Sequence, residues 1–77
     1  MTADRTLDAS GLCCPVPVLK TKAAMETLAV SQVLEVIATD AGARADLAAW
    51  CRRTGQTLVQ TDETPDGKLQ FFIRKTK

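Results

Sequence analysis

Apolar side chains recur along the chain with two spacings, one of every second residue and one of every third or fourth residue. The first spacing is typical of strands and the second of helices. Together with the turn residues between them, they predict strands at 5–8, 33–38, 57–62 and 68–74 and helices at 15–28 and 43–54. The predicted element order is therefore βαβαββ.

Each predicted helix has an apolar stripe that indicates its buried face. The stripe of the first helix is formed by Val18, Met25 and Leu28, widened by Leu19 and Ala23. The stripe of the second helix is formed by Ala43, Leu47, Trp50, Cys51 and Thr54. Gly55 follows at the position where a glycine commonly ends a helix.

The strands complete a two-layer arrangement. In the strand at 33–38, Leu34, Val36 and Ala38 share one face, which predicts that they point into the core. The last two strands flank a Pro- and Gly-containing turn at 64–67 and form a hairpin. We therefore predict an α/β two-layer sandwich, with two helices packed on one face of a four-stranded mixed sheet. A chain of 77 residues has room for one such core, so residues 1–77 form a single predicted domain.

The composition narrows the range of partners. Apolar residues make up 45% of the chain, and the formal net charge is +1 at pH 7. This balance predicts a folded domain and gives no electrostatic reason for direct binding to nucleic acid or to an anionic membrane. No apolar run approaches the ~20 residues that a membrane span needs, and the amino terminus has no signal-peptide pattern. The expected location is the cytoplasm.

The chain has three cysteines and no histidine. An odd number of thiols without an export signal argues against a disulfide scaffold. Cys13 and Cys14 are adjacent, Cys51 is distant, and no imidazole is available to complete a tetrahedral metal site. The lack of histidine also removes the usual general base of hydrolytic nucleophiles. We therefore predict no metal and no bound cofactor, and we look to the thiols for chemistry.

Cys14 stands directly before two closely spaced prolines at the predicted start of the first helix. Pro15 suits the first helical position and Pro17 is tolerated in the first turn, because amides there lack intrahelical partners in any case. A sulfur at this terminus meets the positive end of the helix dipole and the N–H groups around Val16 and Val18, which predicts a lowered thiol pKa. From the residues alone, a small buried thiol and a reactive thiolate are equally open interpretations.

Four other side chains invite an interpretation. Cys51 lies on the apolar stripe of the second helix, which favours core packing over chemistry. Asp40 follows a central strand and is suited either to capping the second helix or to a functional role at the end of the sheet. Asp8 is expected to close the first strand by accepting hydrogen bonds from turn amides. Phe72 alternates away from the core-facing residues of the last strand and is a candidate for a contact patch.

The residues around Cys14 also form a recognisable signature. Its members are Leu7, Asp8, Ala9, Gly11, Leu12, Cys14, Pro15, Pro17, Val18 and Leu19. With this Cys-Pro-x-Pro pattern, the chain resembles the TusA/SirA-like family of small sulfur-carrier proteins, and the resemblance extends over its whole length. Weaker support comes from segments 36–43 and 72–75 and from Asp46 with Trp50-Cys51. The family fold is a βαβαββ two-layer sandwich, in agreement with the elements predicted above.

The resemblance implies that Cys14 accepts a sulfane sulfur as a transient persulfide and hands it to another protein. The implied donor is a cysteine desulfurase or a rhodanese-type sulfurtransferase. Acceptors in the family serve tRNA thiolation, molybdenum-cofactor enzymes or sulfur oxidation. Gly11, Pro15, Pro17 and Asp40 would support the site. The protein would act as a monomeric relay rather than as a stand-alone enzyme.

Two positions depart from the family pattern. Ser31-Gln32 stands where a glycine usually precedes the second strand, and Cys13 gives a pair of adjacent thiols. As an accessory thiol, Cys13 could attack a persulfide on Cys14, release sulfide and leave a vicinal disulfide, although such a ring strains the peptide. Two alternatives to sulfur transfer therefore stay open. They are a thiol redox sensor that uses Cys13 and Cys14, and a regulatory interaction module.

Overall fold

The computed structural model describes residues 2–13 and 15–77, and its six elements follow the predicted order. The strands are β1 (Arg5–Ala9), β2 (Val33–Ala38), β3 (Thr57–Glu63) and β4 (Leu69–Arg74). The helices are α1 (Val16–Glu26) and α2 (Ala43–Thr54). Every boundary lies close to its prediction, and the bounds of β2 and α2 coincide with it.

The four strands form one mixed sheet in the order β1-β2-β4-β3. β1 and β2 are parallel, with Ala9 beside Ala38, and β4 is antiparallel to both of its neighbours. The turn between β3 and β4 is closed by the Gly67 N–H, which donates to the Thr64 carbonyl at 2.9 Å. The mixed sheet, the hairpin and the two helices confirm the predicted α/β two-layer sandwich.

The core lies between the sheet and the two helices. Leu34, Val36 and Ala38 are buried on one face of β2, as the alternating pattern predicted. The predicted stripe of α2 is also confirmed, because four of its five members are buried: Ala43, Leu47, Trp50 and Cys51. The helix ends at Gly55, whose backbone is left-handed and whose N–H donates to the Cys51 carbonyl. The periodicity thus locates the core-facing side of both elements.

The predicted apolar stripe of α1 is partly wrong. The buried residues of this helix are Pro17, Thr21 and Met25, whereas Leu19 is 59% exposed and Ala23 is also exposed. The Thr21 hydroxyl donates to the Pro17 carbonyl at 2.7 Å, so its polar group is satisfied within the helix. Because a satisfied hydroxyl can be buried at little cost, the polar residue takes a core position and the leucine faces outward.

The predicted start of α1 and the predicted cap of α2 also need correction. Pro15 is the N-cap of α1 and Pro17 lies within its first turn, so the helix begins one residue later than predicted. Asp40 does not cap α2 through its side chain, because Gly42 is the N-cap. The Asp40 carbonyl instead accepts the Ala43 N–H at 3.1 Å. Asp40 lies two positions before this N-cap, and no side-chain cap hydrogen bond is found at the start of α2 among the described residues.

Phe72 lies on the sheet face opposite the core-facing Phe71 and Ile73, as the alternation predicted, but it is only 5% exposed. β4 is a central strand, and Phe72 is flanked by Glu35 on β2 and Gln60 on β3. Neighbours on both sides reduce its exposure, so it does not form the contact patch that the sequence suggested. Among the described residues, no helix combines the length and apolar character of a membrane span.

Candidate functional site

The cysteine loop, residues 10–15, connects β1 to α1 at the carboxyl end of β1. Cys14 itself, with the predictions made for its side chain, lies outside the described residues. Its two neighbours in the chain, Cys13 and Pro15, are both exposed. Leu12, in contrast, packs against the core and anchors the loop. The described residues on either side of Cys14 are therefore exposed, and Leu12 connects the loop to the core.

Hydrogen bonds donated by backbone N–H groups fix both ends of this loop. The Gly11 N–H donates to the Thr39 hydroxyl at 2.8 Å, which links the loop to the residue that follows β2. Gly11 has a φ of +78°, a left-handed conformation that glycine adopts without the steric cost of a side chain. At the other end, the Val16 N–H donates to the Cys13 carbonyl at 3.0 Å. The loop is thus tied to β2 on one side and to α1 on the other.

The parallel pairing of β1 and β2 explains which residues meet at this edge. Since Ala9 lies beside Ala38, the segments that leave the two strands begin side by side. Gly11 and Thr39 are brought into contact there, with Asp40 next in the chain. The carboxyl ends of parallel strands are a frequent position for functional groups in α/β folds. The predicted supporting residues Gly11 and Asp40 therefore share one edge of the sheet.

Thr39 is a member of the site that the sequence analysis missed as a functional residue. Its hydroxyl accepts a hydrogen bond from a residue 28 positions away, so the contact depends on the pairing of β1 with β2. A threonine at the end of a strand belongs to no sequence pattern that would predict its role as the acceptor of the Gly11 N–H. The useful signal was the parallel register, which places the residue after β2 beside the loop after β1.

The amino terminus of α1 lies at this edge of the sheet and carries the positive end of the helix dipole. The first turn of α1 carries no acidic side chain that would compete with an anion there. The Val16 N–H, which the sequence analysis assigned to a sulfur anion, is used instead by the Cys13 carbonyl. The Val16 amide is therefore not available to an anion, whereas the helix dipole still favours negative charge near this terminus.

The two described thiols have different surroundings. Cys13 is exposed, and Cys51 is 2% exposed on the core side of α2. Burial raises the pKa of the Cys51 thiol to about 11, because the thiolate would lose its hydration. Cys51 is therefore protonated at neutral pH, which confirms its predicted role in the core. Among residues 2–13 and 15–77, no cluster of cysteine and carboxylate side chains is suited to a metal ion.

Asp8 closes β1 as predicted. Its carboxylate accepts the Ser10 N–H at 3.0 Å. The adjacent polar groups of Ser10 lower the pKa of the Asp8 carboxyl, because they favour its ionised form. Asp8 therefore shapes the turn that begins the cysteine loop.

A family model described as "Sulfurtransferase TusA" matches residues 5–75, which include every element of the fold. The chain belongs to the TusA family. The resemblance based on the Cys-Pro-x-Pro signature is therefore confirmed. The match includes both the cysteine loop and the edge formed by Gly11 and Thr39.

Two relatives and one solved structure show how far the similarity extends. The chain is 50% identical to YrkI of Bacillus subtilis (strain 168) over 76 residues, covering 97% of this chain and 99% of YrkI. It is 44% identical to the sulfur carrier protein TusA of Allochromatium vinosum, with 95% of each chain covered. The crystal structure of a SirA-like protein from Desulfitobacterium hafniense superposes with a TM-score of 0.83 at 26% identity, covering 95% of this chain and 99% of that one. The TusA-family fold is thus shared over nearly the whole chain.

Proposed function

We propose that this protein is a sulfur carrier in which Cys14 receives a sulfane sulfur as a persulfide and passes it to an acceptor protein. The observation that carries the proposal is the TusA-family match over residues 5–75, which contains the Cys-Pro-x-Pro signature in the loop after β1. The exposed neighbours Cys13 and Pro15 support access of a partner to this part of the loop. The donor is a cysteine desulfurase or a rhodanese-type protein.

The proposed transfer is an exchange between a thiolate and a persulfide. The Cys14 thiolate attacks the terminal sulfur of the donor's R–S–SH group, a new S–S bond forms, and the donor's own S–S bond breaks. The donor sulfur leaves as a thiolate, and the transferred sulfur remains on Cys14 as Cys14–S–SH. The reaction needs no external oxidant or reductant, because one S–S bond replaces another. The same exchange in reverse roles loads the acceptor.

The surroundings favour this exchange over hydrolysis. The dipole of α1 stabilises a negative sulfur at its amino terminus, as required for both the attacking thiolate and the stored persulfide anion. The chain has no histidine, which is the side chain most often used as the general base that activates water. The protein would work as a monomeric relay between two protein partners, with acceptors in tRNA thiolation, molybdenum-cofactor enzyme sulfuration or sulfur oxidation.

Intact-protein mass spectrometry tests the proposal directly. The reduced protein is incubated with a cysteine desulfurase and cysteine, and separately with a rhodanese and thiosulfate. We expect a reducible gain of one sulfur atom in the wild type, in Cys13→Ser and in Cys51→Ala. The gain should be absent in Cys14→Ser. No gain with either donor would contradict the proposal.

The same experiment distinguishes the redox alternative. An oxidised vicinal pair would appear as a loss of two hydrogens under mild oxidant, and it would require both Cys13 and Cys14. If that product forms and no sulfur is gained, the chain is a thiol redox protein. If Cys13→Ser retains its added sulfur longer than the wild type, Cys13 acts as a resolving thiol that releases sulfide.

A further inference from the structure

A groove between α1 and α2 extends from the cysteine loop toward the carboxyl end of the chain. It consists of three adjoining cavities of about 260, 290 and 210 Å³. The first two cavities share Val18 and Arg53, and the last two share Lys22, Trp50 and Thr54. These shared walls make the cavities one continuous surface, which we call the interhelical groove.

One end of the interhelical groove lies at the proposed sulfur site. Pro15, which follows Cys14 in the chain, lines the first cavity. The other end is lined by Lys75 and Lys77 near the carboxyl terminus. A segment bound along the groove would therefore have one end beside the cysteine loop.

Part of the apolar surface of the groove is exposed and is not packed in the core. Trp50 forms part of its floor and is 6% exposed, and Val18 is half-buried against the core. Leu19 lines the same cavity and is 59% exposed. An exposed leucine beside a tryptophan floor offers contact area for apolar side chains of a partner.

The rim of the interhelical groove is mostly positive. Four cations, Lys22, Arg53, Lys75 and Lys77, line it together with two carboxylates, Asp46 and Glu26. Within residues 2–13 and 15–77, the ion pair found at 4.0 Å or less joins Lys68 to Asp66, outside the groove. The groove cations therefore have no carboxylate partner in the described structure. Their charge is available to a ligand.

Lys75 is held in place at the far end of the groove. Its ammonium donates to the Met25 carbonyl at 2.9 Å and to the Leu28 carbonyl at 2.8 Å. A cation fixed by two carbonyls loses little further side-chain freedom when a ligand arrives, so its charge favours binding at a low entropic cost. The positive rim is thus partly preorganised.

We propose that the interhelical groove binds an extended acidic segment of a protein with which this chain exchanges sulfur. The 11 residues of α1 extend about 16 Å, which an extended peptide covers with about five residues. Carboxylates of the segment face Lys22 and Arg53, and its apolar side chains pack on Leu19 and Trp50. Only the identity of the partner rests on the proposed sulfur relay, since the groove exists independently of it.

The surface fits a peptide better than a nucleic acid. Bases bind to single-strand sites by stacking on exposed aromatic rings, and Trp50 is only 6% exposed. The net charge of +1 also provides little of the long-range attraction that a phosphate backbone requires. A short segment with both carboxylates and apolar side chains matches the local charge and the apolar floor together.

A titration with a defined peptide tests the inference. The probe is a blocked hexapeptide of alternating glutamate and leucine, added to reduced, ¹⁵N-labelled wild-type protein and followed by NMR at low salt. We expect shifts confined to amides of the groove and to the Trp50 indole. Blocked hexapeptides of alternating lysine and leucine, and of glutamine and leucine, are the matched controls. Hexauridylate tests the nucleic-acid alternative.

Charge-reversal variants show whether the groove itself is responsible. The double variant Lys22→Glu with Arg53→Glu should weaken peptide binding about tenfold, because two attractive contacts become repulsive. Lys20→Glu with Arg52→Glu changes the net charge equally on the same two helices without altering a groove residue, and should retain most of the affinity. Leu19→Ser should weaken binding without changing its salt dependence.

Several results would overturn the inference. They are an absence of groove shifts at millimolar peptide, equal weakening by both double variants, or tighter binding of hexauridylate than of the acidic peptide. Sulfur loading of Cys14 is measured separately by mass spectrometry. Loading without peptide binding contradicts only the groove inference, and peptide binding without loading contradicts only the sulfur-carrier proposal.

Discussion

Ser31 is expected to be a site where one substitution stabilises the protein. It lies before β2 and has a φ of +82°. Of the described residues with a left-handed backbone, Ser31 is the one that is not a glycine. Its N–H donates to the Lys75 carbonyl at 2.7 Å, and its side chain is exposed. Ser31→Gly keeps this hydrogen bond and removes the Cβ that makes the left-handed conformation costly.

The size of the gain follows from two opposing contributions. A non-glycine residue in the left-handed region costs about 1–2 kcal/mol, which glycine avoids. Glycine loses more backbone freedom on folding, at a cost of about 0.5–1 kcal/mol. The net expectation is a stabilisation of about 0.8 kcal/mol. For a domain of this size, that gain raises the Tm by about 3–6 °C.

Thermal unfolding of Ser31→Gly and two matched variants measures this effect. Ala29→Gly changes an exposed residue two positions earlier without a positive φ, and it should lower stability by about 0.5–1 kcal/mol. Gly67→Ala is the reverse change, at a φ of +86°. An added Cβ there meets nothing within 4 Å, so the loss of stability that we expect comes from the left-handed backbone and not from a steric clash. A fall in Tm for Ser31→Gly, similar to that for Ala29→Gly, would refute the argument from backbone strain.

The remaining predictions concern one hydroxyl, one thiol and one ammonium. Thr39→Val should remove the acceptor of the Gly11 N–H, destabilise the fold by about 1 kcal/mol and change the rate of Cys14 alkylation. Thr39→Ser keeps a hydroxyl at this position and should preserve the wild-type rate. Equal alkylation rates in all three proteins would exclude a positioning role for Thr39. The buried, protonated Cys51 thiol contributes fully to stability below pH ~9 and progressively less as the pH rises toward its raised pKa of about 11, because the unfolded thiol ionises first. Urea titrations between these values should therefore show a steeper loss for the wild type than for Cys51→Ala, and parallel losses would contradict this. Lys75→Met should lower the free energy of unfolding by about 1–2 kcal/mol, because the Met25 and Leu28 carbonyls lose the ammonium that donates to them. Lys77→Met should lower it much less. Similar losses for the two variants in chemical denaturation would argue against a stabilising role for these two hydrogen bonds.

Elements with a regular apolar pattern were predictable because burial alone determines which side faces the core. Leu34, Val36 and Ala38 alternate on β2, and Leu47 and Cys51 share the buried face of α2. No polar side chain interrupts these two patterns at a core position. The mixed sheet and the two helices that these elements form agree with the predicted two-layer fold.

The functional edge was predictable only in part. Gly11 and Pro15 belong to a local signature, so the sequence identifies them before any tertiary contact is known. The Gly11–Thr39 hydrogen bond joins residues 28 positions apart and depends on strand register, which the sequence pattern does not specify. Likewise, the left-handed backbone of Ser31 was not evident from a serine, although its place in the family pattern drew attention to the turn.

The error in α1 and the inference about the groove have the same physical origin. The sequence analysis counted Leu19 as core because it is apolar, but Pro17 and Thr21 occupy the buried face and turn Leu19 toward the interhelical groove. A leucine left 59% exposed gives up part of the roughly 1.5–3 kcal/mol that full burial would contribute. Residues that lower the stability of the isolated fold are most often found where a surface takes part in function. Binding of a partner segment would recover that apolar burial, which is why Leu19→Ser should weaken the peptide complex while leaving the fold intact.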